Sequence, residues 1–79
     1  MLNLMKLINF IRMHRARLDW TQEQLARAIG VSRQTIHAIE RGKAEPSVTL
    51  AMKMADIFGL SVDELFRLED GNDGDRKTV

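Results

Sequence analysis

The sequence TQEQLARAIGVSRQTIHAIERGK, at residues 21–43, predicts two short helices joined by a tight turn, with no room for a strand. Thr21 and Gln24 have the spacing of a capping box, in which both side chains exchange hydrogen bonds with the backbone of the first helical turn. Leu25 and Ile29 then recur one turn apart, which places both on one helix face. We therefore expect the first of the two helices to begin directly after Thr21.

The second helix of this stretch lies between residues that favour helix ends. Gly30 is suited to end the first helix, and Ser32 is suited to cap the second. Ile36 and Ile39 form its apolar face, and Gly42 follows where a left-handed residue commonly ends a helix. Two helices joined by a short glycine-containing turn, the second with a polar outer face, are the pattern of the DNA-binding helix-turn-helix.

Length and composition limit the protein class. The chain has 79 residues, 44% of them hydrophobic, with one proline and no cysteine. These values predict one small globular domain without disulfides or cysteine-bound metal, and they favour an intracellular, cytoplasmic protein. The first ten residues, MLNLMKLINF, are interrupted by polar side chains and are far shorter than the ~20 residues of a membrane-spanning helix. We therefore expect neither a signal peptide nor a membrane segment.

The net charge of +1 conceals a difference between the two halves of the chain. Residues 1–43 contain eight Lys or Arg and three acidic residues, whereas residues 44–79 contain four basic and eight acidic residues. A basic half joined to an acidic half fits a protein that presents one side to phosphates. A solvated surface of mixed charge explains the same counts, so charge alone leaves both explanations open.

Helical spacing predicts a first helix from about Leu7 to Leu18, with the first six residues either extending it or forming a short strand. A helix over residues 48–58 follows the helix-turn-helix, and a second capping box at Ser61 opens a last helix that ends near Arg67. The predicted fold is therefore all-α with five helices. Its predicted parts are an apolar N-terminal segment at 1–10, a helix-turn-helix domain at 11–68 and a flexible polar tail at 69–79.

The outer face of the second helix of the helix-turn-helix carries side chains that match base edges. Arginine matches guanine, glutamine matches adenine, and alanine admits close approach or contacts a thymine methyl group. A good bidentate pair contributes about 1 to 3 kcal/mol of discrimination between bases. With the two isoleucines directed inward, the predicted base contacts are Arg33, Gln34, His37 and Ala38.

Phosphate contacts are expected from Gln22, at the start of the first helix, and from Arg41, Lys43 and the loop amides after the second helix. Simpler explanations exist for all three side chains. Gln22 is also consistent with a solvated first-turn residue, and the two cations are consistent with stabilisation of a helix C-terminus. The motif and the basic residues together favour DNA contact, without excluding those explanations.

Two polar residues are expected to support packing. Glu40 faces the core edge by its spacing from Ile36, where an unpaired carboxylate would be costly, so we predict an ion pair with Arg15. His14 lies on the apolar stripe of the first helix, where a hydrogen-bonded core-edge histidine is more common than a metal ligand. The sequence shows no metal-ligand cluster, paired carboxylates, nucleophile with a base or phosphate loop, so we expect no cofactor and no enzymatic activity.

Residues 11–68 resemble the XRE family of phage repressor/Cro-like helix-turn-helix regulators, through TQEQLARAIGVSRQTIHAIERGKAEPS followed by LAMKMADIFGLSVDELF. Two capping boxes, the helix-ending glycines and the apolar spacing all agree with the family pattern. The resemblance implies a five-helix, lambda-repressor-like fold and homodimers on palindromic operators. It also implies base contacts from the four positions named above and an ion pair between Arg15 and Glu40.

This chain departs from the family pattern at two positions. Gln22 stands where phage repressors have a phosphate-binding glutamine that pairs with a second glutamine, but the second position is Arg33 here. The departure implies a preference for guanine in place of the inherited contact. His14 stands where leucine is common, which implies either a looser first helix or some dependence on pH.

Dimerisation is also expected on mechanical grounds. One short recognition helix reads only a few base pairs, so specific affinity requires two half-sites about one helical turn apart. The apolar residues available to join two chains lie in the N-terminal segment and around the fifth helix, where a short N-terminal strand could meet the segment after that helix. The predicted dimer contacts are Leu2, Leu4, Met5, Leu65, Phe66 and Leu68.

Three functions remain open from the sequence. The leading one is a sequence-specific transcriptional regulator, acting as a repressor that occupies double-stranded DNA. A DNA-binding antitoxin would use the same helices and also hold a partner protein, which would co-purify with it. A protein-interaction adaptor would use the fold without DNA, and retention on mixed-sequence DNA that weakens steeply with salt would argue against it.

Overall fold

The computed structural model of the protein describes residues 5–70, which form five helices and a two-stranded antiparallel sheet. The five predicted helices are confirmed, and the short N-terminal strand that the sequence allowed is also present, paired within the same chain with the segment that follows the fifth helix. No helix in this part of the chain is long and apolar enough to cross a bilayer. In chain order the elements are β1 (Met5–Asn9), α1 (Ile11–Arg17), α2 (Gln22–Ile29), α3 (Arg33–Glu40), α4 (Val48–Phe58), α5 (Val62–Leu65) and β2 (Phe66–Asp70).

Side-chain hydrogen bonds lie at the starts of α2, α3 and α5, as the capping residues predicted. The hydroxyl of Thr21 accepts from the N–H of Gln24 at 3.0 Å, and the side-chain oxygen of Gln24 accepts from the N–H of Thr21 at 2.8 Å. At α3, the hydroxyl of Ser32 accepts from the N–H of Thr35 at 3.1 Å. At α5, the N–H and hydroxyl of Ser61 donate to the carboxylate of Glu64 at 2.8 and 3.2 Å. These bonds satisfy polar groups that a helix end leaves without intrahelical partners.

The first helix ends with an aspartate at a position that favours glycine. Asp19 has a φ of 59°, and among the described residues no other non-glycine residue has a positive φ. Its N–H donates to the carbonyl of Ala16, and the N–H of Trp20 donates to the carbonyl of Arg15, each at 3.0 Å. Gly42 makes the equivalent turn after α3 without a side chain. Asp19 therefore carries conformational strain that glycine would not.

Residues 5–9 form a strand, which corrects the predicted start of the first helix near Leu7. β1 pairs with β2 in an antiparallel register that places Leu7 opposite Leu68. α1 begins at Ile11, whose N–H donates to the side-chain oxygen of Asn9 at 3.2 Å. Leu7 keeps helical spacing from Ile11, but a partner strand distant in sequence decides its conformation, and local periodicity does not detect that partner.

α5 ends at Leu65 and not near Arg67, because β2 begins at the next residue. Glu69 and Asp70 belong to this strand, so two residues of the predicted flexible tail are part of the sheet. The rest of the predicted tail, residues 71–79, lies outside the described residues.

One apolar core lies between the helices, and it also takes up residues that were predicted to join two chains. Leu65 and Phe66 are 0% and 5% exposed, so neither side chain has surface left for a second chain. This corrects the predicted dimer contacts at those two positions. The remaining predicted contacts are Met5 and Leu68, which are exposed, and Leu2 and Leu4, which lie outside the described residues. The large side chains that are fully buried are Ile11, Leu25, Ile36, Met54 and Leu65.

Candidate nucleic-acid interface

α3 has a buried face and a solvent-facing one, as its sequence pattern predicted. Ile36 and Ile39 are 0% and 3% exposed and belong to the core. α2 packs closely on α3 and supports it from one side. The residues predicted to contact bases are accessible on the rest of the helix surface: Arg33, Gln34 and His37 are exposed and Ala38 is half-buried.

A nearly buried ion pair joins α3 to α1. Arg15 donates from Nε to Oε2 of Glu40 at 2.7 Å and from Nη2 to Oε1 at 3.1 Å. The two side chains are only 14% and 6% exposed, and Arg15 Nη1 also donates to the carbonyl of Trp20 at 2.7 Å. The ion pair predicted from the sequence is thus present in the structure. Because two parallel bonds fix orientation as well as distance, the pair holds α3 firmly against α1.

Gln22 extends this network to the outer face of α3. Its Nε2 donates to Oε1 of Glu40 at 3.1 Å and lies 3.3 Å from Nδ1 of His37. The sequence suggested comparison with position 33, where the family has a second glutamine, and did not indicate His37 as the neighbour of Gln22. Which residue of α3 meets Gln22 depends on the rotation of α3 about its axis relative to α2, and no local pattern encodes that rotation.

Asn9 links β1 to α3, a role that no local sequence pattern indicates. Its Nδ2 donates to the carbonyl of Ile39 at 2.9 Å, near the C-terminal end of α3. Its Oδ1 accepts from the N–H of Ile11, at the start of α1. One side chain therefore satisfies a carbonyl at the end of the recognition helix and an amide at the start of another helix.

Arg41 and Lys43 are exposed at the C-terminal end of α3. Their backbone amides already have partners, because Arg41 donates to the carbonyl of His37 at 3.0 Å and Lys43 donates to that of Ala38 at 2.8 Å. These two amides are therefore used within the protein, and the prediction that the amides of the following loop bind phosphate stays untested. Their side chains remain available for phosphate contact.

His14 lies at the core edge, 8% exposed, as expected for a packing residue. Its Nδ1 lies 2.6 Å from Nη1 of Arg17, and its ring lies 5.9 Å from that of Phe58. Within residues 5–70 no group of three or more His, Cys, Asp or Glu side chains is placed to hold a metal ion.

Comparison with known proteins agrees with this geometry. The family model described as helix-turn-helix matches residues 11–65, which span α1 to α5. The chain belongs to the helix-turn-helix family. Within that family it is of the XRE type, as its sequence resemblance indicated, and it is a DNA-binding transcriptional regulator.

Individual members of the family support this assignment. The chain is 50% identical over 62 residues to an uncharacterised HTH-type transcriptional regulator of Methanocaldococcus jannaschii, covering 78% of this chain and 94% of that protein. A DNA-binding protein of Bacteroides fragilis, assigned that role provisionally, matches in structure with a TM-score of 0.70 and 26% identity, covering 77% of this chain and 98% of that chain.

A structure solved with DNA is also similar. The P22 c2 repressor in complex with a synthetic operator matches with a TM-score of 0.65 and 30% identity, covering 67% of this chain and 80% of that chain. The lambda-repressor-like fold class predicted from the sequence is therefore confirmed.

Proposed function

We propose that this regulator is a repressor that binds a palindromic operator as a homodimer. The observation that carries the proposal is the outer face of α3, where side chains suited to base edges are exposed while the opposite face is held in the core. The similar P22 c2 repressor was solved with a synthetic operator, which supports duplex DNA as the ligand of this face. Repression requires only that the bound protein occupy a site that overlaps a promoter.

Base recognition in this proposal rests on α3. Arg33, in the first turn of the helix, donates to the O6 and N7 acceptors of guanine, and Gln34 pairs with adenine N6 and N7. Ala38, which is half-buried, allows the helix to lie close to the floor of the groove. Arg41 and Lys43 contact phosphates from the C-terminal end of the helix and hold its register on the duplex.

The sheet supplies the surface for a second chain. The register of β1 and β2 places Leu7 opposite Leu68, and therefore on one face of the sheet. Leu68 is 63% exposed and Met5, further along the same face, is 45% exposed. Exposed apolar side chains grouped on one sheet face favour burial against a partner, and a second copy supplies the same surface. Two recognition helices can then read two half-sites.

Selection of bound sequences from random duplex DNA tests the proposal. We expect two inverted half-sites separated by about one helical turn, or roughly 10 base pairs between their centres. Sedimentation of the purified complex should show two chains on each duplex, and Leu68→Asp should reduce this to one. Enrichment of a site without inverted symmetry, or one chain on each selected duplex, would contradict the homodimer.

Repression has a separate test. Transcription in vitro from a promoter that overlaps the selected site should fall as the protein is added, while transcription from a promoter without the site stays constant. A rise in transcription from the first promoter would contradict repression and leave the DNA-binding assignment intact.

A further inference from the structure

The side-chain amide of Gln22 has only one orientation that suits its neighbours. The carboxylate of Glu40 accepts two bonds from Arg15, and a carboxylate has no hydrogen to donate. The amide atom 3.1 Å from Glu40 Oε1 must therefore be the nitrogen, because a carbonyl oxygen there would repel the carboxylate. Glu40 thereby determines which end of the Gln22 amide faces His37.

The orientation of this amide determines the tautomer of His37. The same Gln22 nitrogen lies 3.3 Å from Nδ1 of His37, and an amide nitrogen donates but does not accept. Nδ1 must then be the unprotonated, accepting nitrogen of the ring. In a neutral imidazole the proton is then on Nε2, which has no hydrogen-bond partner within the described residues.

We propose that His37 is a fixed hydrogen-bond donor, which contacts the N7 atom of a purine in the major groove through Nε2. Gln22 is a positioning residue that holds this tautomer, and Glu40 orients Gln22. The proposal rests on the proposed operator binding and specifies what one residue of the recognition helix reads. It also replaces the phosphate contact predicted for the Gln22 side chain, because both amide hydrogens of that residue are used within the protein.

The tautomer changes which base edge His37 can contact. A donor at Nε2 pairs with N7, which both guanine and adenine present in the major groove. The opposite tautomer would place an acceptor there, which pairs with the amino group of adenine or cytosine instead. Guanine O6 and thymine O4 also accept hydrogen bonds in the major groove, so the purine requirement follows from the assignment of the contact to N7. On that assignment we expect a purine at one position of each half-site, and His37→Ala should remove that requirement.

Nitrogen NMR of the imidazole rings in the full chain tests the tautomer without DNA. At mildly alkaline pH the wild-type protein should show His37 protonated at Nε2, and Gln22→Met, which has similar length and no donor, should add signal from the Nδ1–H form. Gln34→Met is the matched control, since Gln34 is exposed on the same helix, and it should leave the His37 signals unchanged. A wild-type spectrum dominated by the Nδ1–H form, or no change in Gln22→Met, would overturn the proposal.

Purine analogues test the contact itself. On the selected operator, 7-deazapurine replaces N7 with a carbon at one purine at a time. We expect one position in each half-site where this change weakens wild-type binding about tenfold, equivalent to about 1.4 kcal/mol, and leaves His37→Ala unaffected. Gln22→Met should lose part of the same sensitivity.

The two experiments separate failure of this inference from failure of the proposed function. If the protein selects no sequence, the proposed operator binding is wrong, and the NMR experiment still shows which tautomer His37 adopts. If it selects a site and every 7-deazapurine affects wild-type and His37→Ala protein alike, the purine contact is wrong and operator binding stands.

Discussion

Glu40 is the residue on which the position of α3 depends most, because three donor atoms from two side chains converge on its carboxylate. Its side chain is only 6% exposed, so the charge is tolerated because it is paired. The same carboxylate orients Gln22 next to His37. One buried acidic group therefore serves both the packing of α3 and the chemistry of its outer face.

Removing the partner of Glu40 should therefore be costly. Arg15→Met leaves the buried carboxylate with Gln22 as its remaining side-chain donor, and we expect it to lower the free energy of unfolding by about 3 to 5 kcal/mol. Urea denaturation measures the change. The double variant Arg15→Met with Glu40→Leu removes both charges and should recover most of the loss. Equal destabilisation in the single and double variants would show that lost packing, and not an unpaired charge, is responsible.

Substitution of Asp19 by glycine, unlike that of Arg15 by methionine, should increase the stability of the protein. Asp19→Gly removes a side chain from a residue with a φ of 59°, and we expect it to raise the free energy of unfolding by about 0.5 to 1 kcal/mol. Asp19→Ala keeps the unfavourable Cβ and should not stabilise the protein. Thermal or urea unfolding compares the three proteins, and a loss of stability in Asp19→Gly would indicate that the carboxylate has a role beyond the turn.

Glu64 makes the stability of the folded protein depend on pH in the acidic range. The backbone N–H and the hydroxyl of Ser61 donate to its carboxylate and hold the pKa of Glu64 below the ordinary value of 4.5. A lowered pKa contributes stability above the ordinary value, and that contribution is lost as pH falls through the lowered one. The urea midpoint of wild type should therefore approach that of Glu64→Gln as pH falls below 4.5. A constant difference between the two proteins across this range would contradict the linkage.

Among the secondary-structure elements, β1 is the one whose link to α3 was not expected. Asn9 donates to the carbonyl of Ile39 in α3 and accepts from the N–H of Ile11 in α1. Asn9 thus attaches β1 to the C-terminal end of α3. The proposed dimer contacts Met5 and Leu68 lie at the exposed end of the same sheet face, so Asn9 links the sheet that carries them with α3.

Two substitutions separate the two hydrogen bonds of Asn9. Asn9→Ala loses both bonds, whereas Asn9→Asp keeps the acceptor for Ile11 and places a carboxylate oxygen against the carbonyl of Ile39. We expect Asn9→Ala to lower the free energy of unfolding by about 2 kcal/mol and Asn9→Asp to lower it at least as much, as measured by urea denaturation. Asn9→Asp should also weaken operator binding, because the end of α3 loses its attachment to β1. Wild-type stability in Asn9→Asp would show that the donor bond contributes nothing.

The helices could be predicted because their signals are local. Thr21 with Gln24 and Ser61 with Glu64 lie within single turns, and the helix-ending glycines directly follow the helices they end. The sequence left open whether the N-terminal residues extend the first helix or form a strand, because β1 and its partner β2 lie at opposite ends of the described chain. Leu7 fits a helical and an extended pattern alike, so only the distant partner strand decides between them.

The candidate site likewise contains some features that the sequence predicts and others that it does not. Exposure of Arg33 and Gln34 follows from the spacing of Ile36 and Ile39 within one helix. The pair formed by Arg15 and Glu40 could be predicted because burial of a lone carboxylate is so unfavourable that a partner was required. Contact between Gln22 and His37, in contrast, depends on how two helices are rotated against each other, which residue spacing within either helix does not encode.

At the scale of the molecule, two separate surfaces serve the proposed regulator. In the proposed function, α3 reads bases through its exposed side chains, Arg41 and Lys43 at its end contact phosphates, and the exposed Met5 and Leu68 of the sheet join a second copy. The basic half of the chain contains α3, whereas the acidic half contains β2. Such a division favours approach to DNA with the recognition helix directed toward it.

The central claim is that α3 reads bases while the cations at its end position the protein, and one set of dissociation constants tests it. Wild type, Arg33→Ala and Lys43→Ala are each measured on the selected operator and on duplexes that carry every single base change. We expect Arg33→Ala to lose about 1 to 3 kcal/mol of discrimination at one position of each half-site. Lys43→Ala should weaken binding to all the duplexes alike and reduce the dependence on salt. Uniform weakening by both variants would contradict the claim that α3 reads the operator through Arg33.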